Sequence, residues 1–357
     1  MTGHSGDPLT QAFAIKEVKN RPNILFLVND HQLYYRHGWD GGPQIKRPHF
    51  DQLAAAGANF TRAYTACPLC GPARRTILTG LFPHNHGHLQ NDSDAPYKHA
   101  LYPEKLAAAW YKNYAFGKWH AGSGTALDHN CEGYSLPEYG NPYLTERYKR
   151  YLEARNLPHP QIRVERDLNH ENRLRPGDVY LQKDVGCWEH MTGIMEAPDD
   201  CHEAFFLANL ACDQLDAIAA EKSDAPFCLR VDFWGPHQPY FPTQRFADLY
   251  DPLKIPIYPN FNDDLTNKPA SYQTELNYPM GDEGGKIVYP NPLPWSEWQK
   301  MLALCYAQIT LVDEAGGRIL TKLDELGLAE NTLVIWTTDH GDALACHGGH
   351  FNKRCYL

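Results

Sequence analysis

The sequence predicts an α/β fold built on a large mixed, mostly parallel sheet flanked by helices, and three observations support this. Short apolar, β-branched runs recur along the chain, as strands buried on both faces do. Stretches with apolar residues three and four apart lie between those runs. Polar clusters stand where the runs end, at Asn29-Asp30-His31 and at Thr338-Asp339-His340. Parallel strands need helical crossovers and gather ligands at their carboxyl ends, so the three observations converge on one architecture.

The first strand is expected at 23–28, an apolar run that stops at Asn29. A helix should follow over 49–56, with Phe50, Leu53 and Ala54 on one face and Gly57 as its stop. The run 60–64 reads as strand-like, 114–116 as a short strand and 202–220 as an amphipathic helix. A further strand is expected at 227–233. Over 298–326 apolar residues recur at Leu302, Cys305, Ile309, Val312, Ile319, Leu323 and Leu326, and Gly327 supplies a helical stop. That long helix leads into a strand at 332–337. Residues 122–200 are weakly patterned and read as insertions that shape a substrate pocket. No internal repeat or low-complexity tract interrupts the chain. The expected organisation is an N-terminal extension at 1–20 and one continuous unit at 21–357.

The 357 residues leave room for one large domain or two of about 100 to 200 residues each. Hydrophobic residues at 43% and charged residues at 21% disfavour disordered, collagenous and coiled-coil classes. Lys and Arg number 33 against 43 Asp and Glu, a net charge of −10. That balance disfavours a non-specific nucleic-acid or anionic-membrane binder, though it leaves room for local basic pockets. No apolar run approaches the roughly 18 residues of a membrane span. Residues 1–20 carry His4, Asp7, Lys16 and Glu17 in place of a secretory signal's apolar core, so the expected compartment is the cytoplasm. Ten cysteines in this length are too few for a disulfide scaffold and read as free thiols.

The two Asp-His clusters end strands far apart in sequence. If a parallel sheet brings them together they form a divalent-metal site; either one alone would read as the cap of a helix or turn. The segment from Cys67 to Gly80 has three readings. Cys67 and Cys70 form a C-x-x-C that could be redox-active or half a zinc site. Alternatively Cys70 starts a helix, with Pro72 in its first turn, where the dipole and Arg74 would lower the thiol pKa. The third reading is simple burial. Cys346, His347, His350 and Cys355 have zinc-binding side chains, but their spacing fits no standard motif.

Cys70-Gly71-Pro72-Ala73-Arg74, followed by Thr79-Gly80, resembles the C-x-P-x-R signature of the type I, formylglycine-dependent sulfatase family of the alkaline phosphatase superfamily. The resemblance continues along most of the chain. Arg21-Pro22-Asn23-Ile24-Leu25 is similar to the family's first strand, with Asp30 in the place of its metal aspartate and His31 where many members have a second Asp. Gly117-Lys118-Trp119-His120 resembles the G-K-W-H segment, and Gly235-Pro236-His237-Gln238-Pro239 the P-H-x-P segment. Thr338-Asp339-His340-Gly341-Asp342, then His347-Gly348 and Lys353, is similar to the second metal motif and its lysine. Asn91 resembles a position near the substrate. Singly, each His would read as a satisfied histidine and each Lys or Arg as surface charge; the ordered set is what carries weight.

The resemblance implies an alkaline phosphatase/sulfatase-like fold and hydrolysis of a sulfate ester. It implies that Cys70 is converted to 3-oxoalanine (formylglycine) by a maturase, and that the aldehyde hydrate is the nucleophile. Asp30, Asp339, His340 and the modified residue 70 would hold a divalent metal. Calcium is the first expectation, with manganese or magnesium as alternatives because His340 replaces a frequent Asn. Arg74, Lys118 and Lys353 would offset the sulfate charge, His237 or Lys353 would protonate the leaving alkoxide, and His120 would take the hydrate's second proton. Asn91 and His31 would contact substrate. The implied partner is a small-molecule or carbohydrate sulfate ester, with no nucleic acid and no membrane. Two alternatives stand beside this: a phosphodiesterase or phosphonate monoester hydrolase of the same superfamily, and a non-catalytic binding protein of the same fold. The pair Lys118 and His120 favours sulfate. Family members usually continue past the counterpart of Lys353 into a smaller C-terminal region, so that subdomain is expected to be missing here and activity of this chain to be weak or absent.

Overall fold

A computed structural model describes residues 21–33, 44–91, 94–167, 174–181, 191–270, 293–350 and 353. The strands are β1 (Asn23–Asn29), β2 (Lys112–Lys118), β3 (Glu132–Leu136), β4 (Gln161–Asp167), β5 (Val179–Leu181), β6 (Met191–Glu196), β7 (Phe227–Asp232) and β8 (Thr332–Thr338). The helices are α1 (Pro48–Ala56), α2 (Cys70–Thr79), α3 (Pro83–His86), α4 (Tyr102–Ala108), α5 (Glu146–Ala154), α6 (Glu203–Glu221), α7 (Gln244–Ala247), α8 (Trp295–Glu325) and α9 (Cys346–Gly349). Five strands form the central sheet in the order β3-β2-β7-β1-β8, every pair parallel. β5-β4-β6 form a small antiparallel sheet.

The main core lies between the central sheet and the pair α6 and α8. Leu25, Leu27, Phe116, Leu229 and Val231 from the sheet meet Phe205, Phe206, Leu207, Leu311, Val312 and Ile319 from the helices. Alternation along each strand sends the neighbouring residues to the other face, where Ala115 packs with Leu78 of α2 and with Leu101, Trp119 and Ala126. Burial on both faces is why these strands are apolar runs. A second cluster joins the first half of α8 to Tyr240, Ile255, Tyr258 and Phe261. The start of α1 is secured from outside: the Asp313 carboxylate of α8 accepts the N–H groups of His49 and Phe50 at 3.1 and 2.8 Å.

The predicted elements at 23–28, 49–56, 114–116, 227–233, 298–326 and 332–337 are present, mostly longer than expected. Three expectations change. Residues 60–64 form no strand; Phe60 and Tyr64 are 80% and 89% exposed. A one-sided apolar alternation becomes a strand only against a neighbour, and no described strand pairs with it. The helix expected at 202–220 is less one-sided than an amphipathic surface helix, because α6 is buried all round from Glu203 to Cys212. The weakly patterned region 122–200 is folded, holding β3, α5 and the small sheet among its described residues. Among the described residues no helix is long and apolar enough to cross a membrane.

Candidate active site

The parallel register decides what meets at the sheet's carboxyl end. Val28 lies opposite Asp232 and Asn29 opposite Thr338. Beyond the strands the ladder continues, with Asp30 N–H donating to the Gly235 carbonyl at 3.1 Å and Asp339 N–H to the Asn29 carbonyl at 3.3 Å. Asp30, Asp339 and the turn carrying His237 therefore emerge side by side. Cys70 is brought to the same place as the first residue of α2, its thiol buried and the helix N-terminus behind it.

One ligand atom each from Asp30, Cys70, Asp339 and His340 lies within 4.8 Å of the others, and all four residues are buried. This group could hold a metal ion. His340 Nδ1 lies 2.8 Å from the Gly341 carbonyl, which sets the tautomer with Nε2 facing Cys70 Sγ at 3.1 Å. Burial by itself lowers the His340 pKa; the Asp339 carboxylate and the Cys70 thiol outweigh it and raise it to about 9. A cation at this point would take the place of that proton. Burial raises the Asp30 pKa, and Lys118 and Arg74 more than reverse this, holding it well below the usual carboxylate range. Burial and Asp30 push the Cys70 thiol up, while Lys118, Lys353 and His340 outweigh them, leaving it below its ordinary value.

Arg74, one turn along α2, braces the carboxylates. Its Nε donates to Asp339 at 2.9 Å, its Nη1 to Asp232 at 2.8 Å and to the Lys118 carbonyl at 3.1 Å, and its Nη2 lies 3.7 Å from Asp30. Asp232 is also held by Arg230, whose Nη2 donates to the same oxygen at 2.7 Å. Lys118 ends β2; its ammonium donates to Asp30 and lies 3.9 Å from Cys70 Sγ. Gly117 makes that approach possible, because at φ +113 a Cβ would stand 2.0 Å from the Asp232 carbonyl oxygen.

Facing this group, Lys353 Nζ lies 2.9 Å from His237 Nε2, and His237 Nδ1 lies 2.7 Å from the Gln238 carbonyl. Burial, then Lys353 and His31, keep the His237 pKa well below the usual histidine value, so Nδ1 carries the one ring proton and Nε2 the lone pair. His31 is not among the four converging ligands. Its ring packs between those of His237 and His340, at centroid distances of 4.5 and 4.8 Å, and its Nε2 lies 2.8 Å from Asp342. His120 is buried, and burial with Lys118 and Arg74 beside it keeps its pKa far below normal and the ring neutral. Asn91 accepts the Gly71 N–H at 2.9 Å and donates to the Tyr139 hydroxyl at 2.8 Å.

Of the residues singled out from the sequence, Asp30, His31, Cys70, Arg74, Asn91, Lys118, His120, His237, Asp339, His340 and Lys353 gather at one end of the sheet. Cys67 and Cys70 are both thiols, and only Cys70 enters the cluster. Of the zinc-type residues near the end, Cys355 lies outside the described residues. Sequence reasoning missed Asp232, Arg230, Glu203 and Tyr139. Arg230 and Asp232 carry a signal in retrospect, two opposite charges at i and i+2 on one face of a buried strand. Glu203 starts α6 and accepts the Gly235 N–H at 3.0 Å, holding the turn that carries His237.

Residues 22–355 match the sequence profile of the sulfatase family. An ulvan-active sulfatase from Formosa agariphila is 26% identical over 329 residues, covering 92% of this chain and 52% of that protein. An N-acetylglucosamine-6-O-sulfatase from Bacteroides thetaiotaomicron is 24% identical, covering 95% of this chain and 61% of that protein. The chain therefore spans between half and two thirds of the length of these curated relatives. A solved phosphonate monoester hydrolase from Silicibacter pomeroyi shares the fold at a TM-score of 0.68 and 21% identity, over 94% of this chain and 66% of that one. A family match running from the start of β1 to beyond Lys353 takes in every strand and every residue of the cluster: the chain belongs to the sulfatase family.

Proposed function

We propose that this chain is the catalytic part of an enzyme that hydrolyses a sulfate ester, with residue 70 acting after conversion to formylglycine. The observation that carries the reading is the placement of Cys70: it begins α2 inside a buried ring of Asp30, His340 and Lys118, with the pair His237 and Lys353 also at the site. A redox or inert thiol has no need of such company. The donor set suits both missing groups. Two carboxylates and an Nε2 oriented by a backbone carbonyl are a credible site for a divalent cation, calcium first given the oxygen donors, with manganese or magnesium as alternatives. At Sγ, 3.7 Å from Asp30, 3.1 Å from His340 and 3.9 Å from Lys118, hydrate oxygens would find acceptors and donors already in place.

When present, the cation would supply Lewis-acid charge and the hydrate a nucleophilic oxygen. The remaining chemistry falls to this chain's side chains. Lys118 and Lys353 place positive charge where sulfuryl oxygens must sit, and Arg74 keeps Asp30, Asp339 and Asp232 in register. Lys353, its ammonium against the Nε2 lone pair of His237, is the proton source for the leaving alkoxide. Neutral His120 is the base that takes a proton from residue 70 as sulfate departs. Asn91 lies at the edge of the site and contacts substrate. Relatives named for ulvan and N-acetylglucosamine 6-sulfate support a carbohydrate ester. Cleavage of a phosphonate monoester is the competing reading, and the presence of both Lys118 and His120 favours sulfate.

The test is the mass of the tryptic peptide 63–74 from protein made beside a maturase, followed by paired assays on an aryl sulfate and an aryl phosphonate. Loss of sulfur and gain of an aldehyde oxygen at residue 70, with faster turnover of the sulfate, is expected. A thiol that persists while a reference substrate of the same maturase converts fully would sink the proposal.

A further inference from the structure

Tyr139 has no place in the chemistry above, yet it is held over it. β3 ends at Leu136, whose carbonyl accepts the Trp119 N–H at 3.0 Å, so the turn that follows is tied to the segment bearing Lys118 and His120. Gly140 N–H closes that turn on the Pro137 carbonyl at 2.9 Å, and Glu138 sits at φ +46 within it. The turn lays the Tyr139 ring against His120, centroids 4.2 Å apart, with the Lys118 ammonium 5.6 Å from the ring centre. At its far end the hydroxyl accepts from Asn91, which in turn accepts from the first turn of α2. The ring is thus fixed at both ends. It is 50% exposed, whereas Lys118 and His120 are buried, which makes it the outermost member of the group.

We propose that Tyr139 is the platform for the alcohol half of the substrate and that it selects ring alcohols, pyranosyl sulfates above all, over small acyclic alkyl sulfates. This rests on the reading of the site as a sulfate-ester hydrolase. A sulfuryl group lodged between residue 70, Lys118 and His120, its ester oxygen toward the proton source at His237 and Lys353, carries its alcohol out of the buried group, whose outermost member is Tyr139. With the hydroxyl engaged by Asn91, the surface Tyr139 offers is its ring. A π-face with negative charge density attracts the polarised C–H groups on one side of a pyranose and buries apolar area against them. A tethered aromatic loses little conformational entropy in doing so. An ethyl group is too small to cover the ring and gains little from it.

The experiment compares kcat and KM for N-acetylglucosamine 6-sulfate and ethyl sulfate in the matured full chain, as wild type, Tyr139→Phe and Tyr139→Leu. Wild type should show the lower KM for the sugar. Removing the ring in Tyr139→Leu should raise the ratio of sugar KM to ethyl KM about tenfold with kcat for the sugar changed much less, the pattern of lost ground-state binding. Tyr139→Phe keeps the ring and should keep the ratio within about threefold of wild type. A ratio unmoved in Tyr139→Leu, or a wild type that prefers ethyl sulfate, overturns the platform while leaving the hydrolase reading intact. Should wild type with residue 70 fully converted cleave neither of these esters nor an aryl sulfate, in an assay sensitive enough for a weak enzyme, the functional reading fails and the platform with it.

Discussion

Glu203 is fully buried, and burial pushes its carboxyl from 4.5 up to about 8 against the opposing pull of the Gly235 and Trp234 amides. The folded protein therefore holds a proton between those values that the unfolded chain releases. Its contribution to stability is complete below pH 4.5 and is lost as pH rises toward 8, with a slope of up to about 1.4 kcal/mol per pH unit. Glu203→Gln keeps the acceptor for Gly235 and removes the titration. Urea midpoints measured at pH 5 and pH 8 should differ less in the variant than in wild type, and an equal difference in both would contradict the assignment. Asp232 lies between two buried guanidinium groups, those of Arg74 and Arg230. Asp232→Asn would leave Arg74 and Arg230 facing each other with less compensation, which should lower stability by about 3 kcal/mol in guanidinium unfolding. A loss under about 1 kcal/mol would mean that water or a rearranged Arg230 replaces the carboxylate.

β2 and β7 approach so closely at Gly117 that any side chain there meets the Asp232 backbone. Gly117→Ala should either prevent soluble expression or cost at least about 3 kcal/mol, read as a fall in Tm, while the same change at Gly80, at a helix end with nothing within 4 Å, should be much milder. Equal effects at both positions would show that positive φ alone, and not the strand contact, sets the penalty. Elements of this kind also explain how much of the site was legible in advance. Asp30, Asp339 and Cys70 announce themselves because each stands where a regular run begins or ends. Asp232 and Glu203 also stand at element ends, of β7 and α6, but they fall inside the longer runs expected at 227–233 and 202–220, and their partners, Arg74 and the Gly235 turn, arrive from distant sequence. Tyr139 was hidden for another reason: it is one aromatic in a region whose short strands and turn carry little periodicity. The misplaced strand at 60–64 shows the converse, a good local pattern without a tertiary neighbour.

For the molecule as a whole, the four buried residues Asp30, Cys70, Asp339 and His340 bring together α2 and the ends of β1 and β8, so a cation held by them would link the two halves of the chain. Any ligand that binds only the folded state stabilises it, by about 2.7 kcal/mol at a hundred times its dissociation constant. Calcium should accordingly raise Tm, a chelator should reverse the shift, and Asp339→Asn should abolish it. A Tm indifferent to calcium, manganese and magnesium alike would exclude a metal at this cluster. The central sheet has one further property that bears on handling the protein at the bench. β8 is paired on one side only, with β1, among the described residues, and it turns Leu333 and Ile335 outward at 53% and 38% exposure. A strand edge flanked by exposed aliphatic side chains is a template for another copy's backbone, so concentrated stocks should self-associate and scatter light well before the active site loses integrity. Leu333→Lys, a charge placed on that edge, should slow the rise in scattering without moving Tm appreciably.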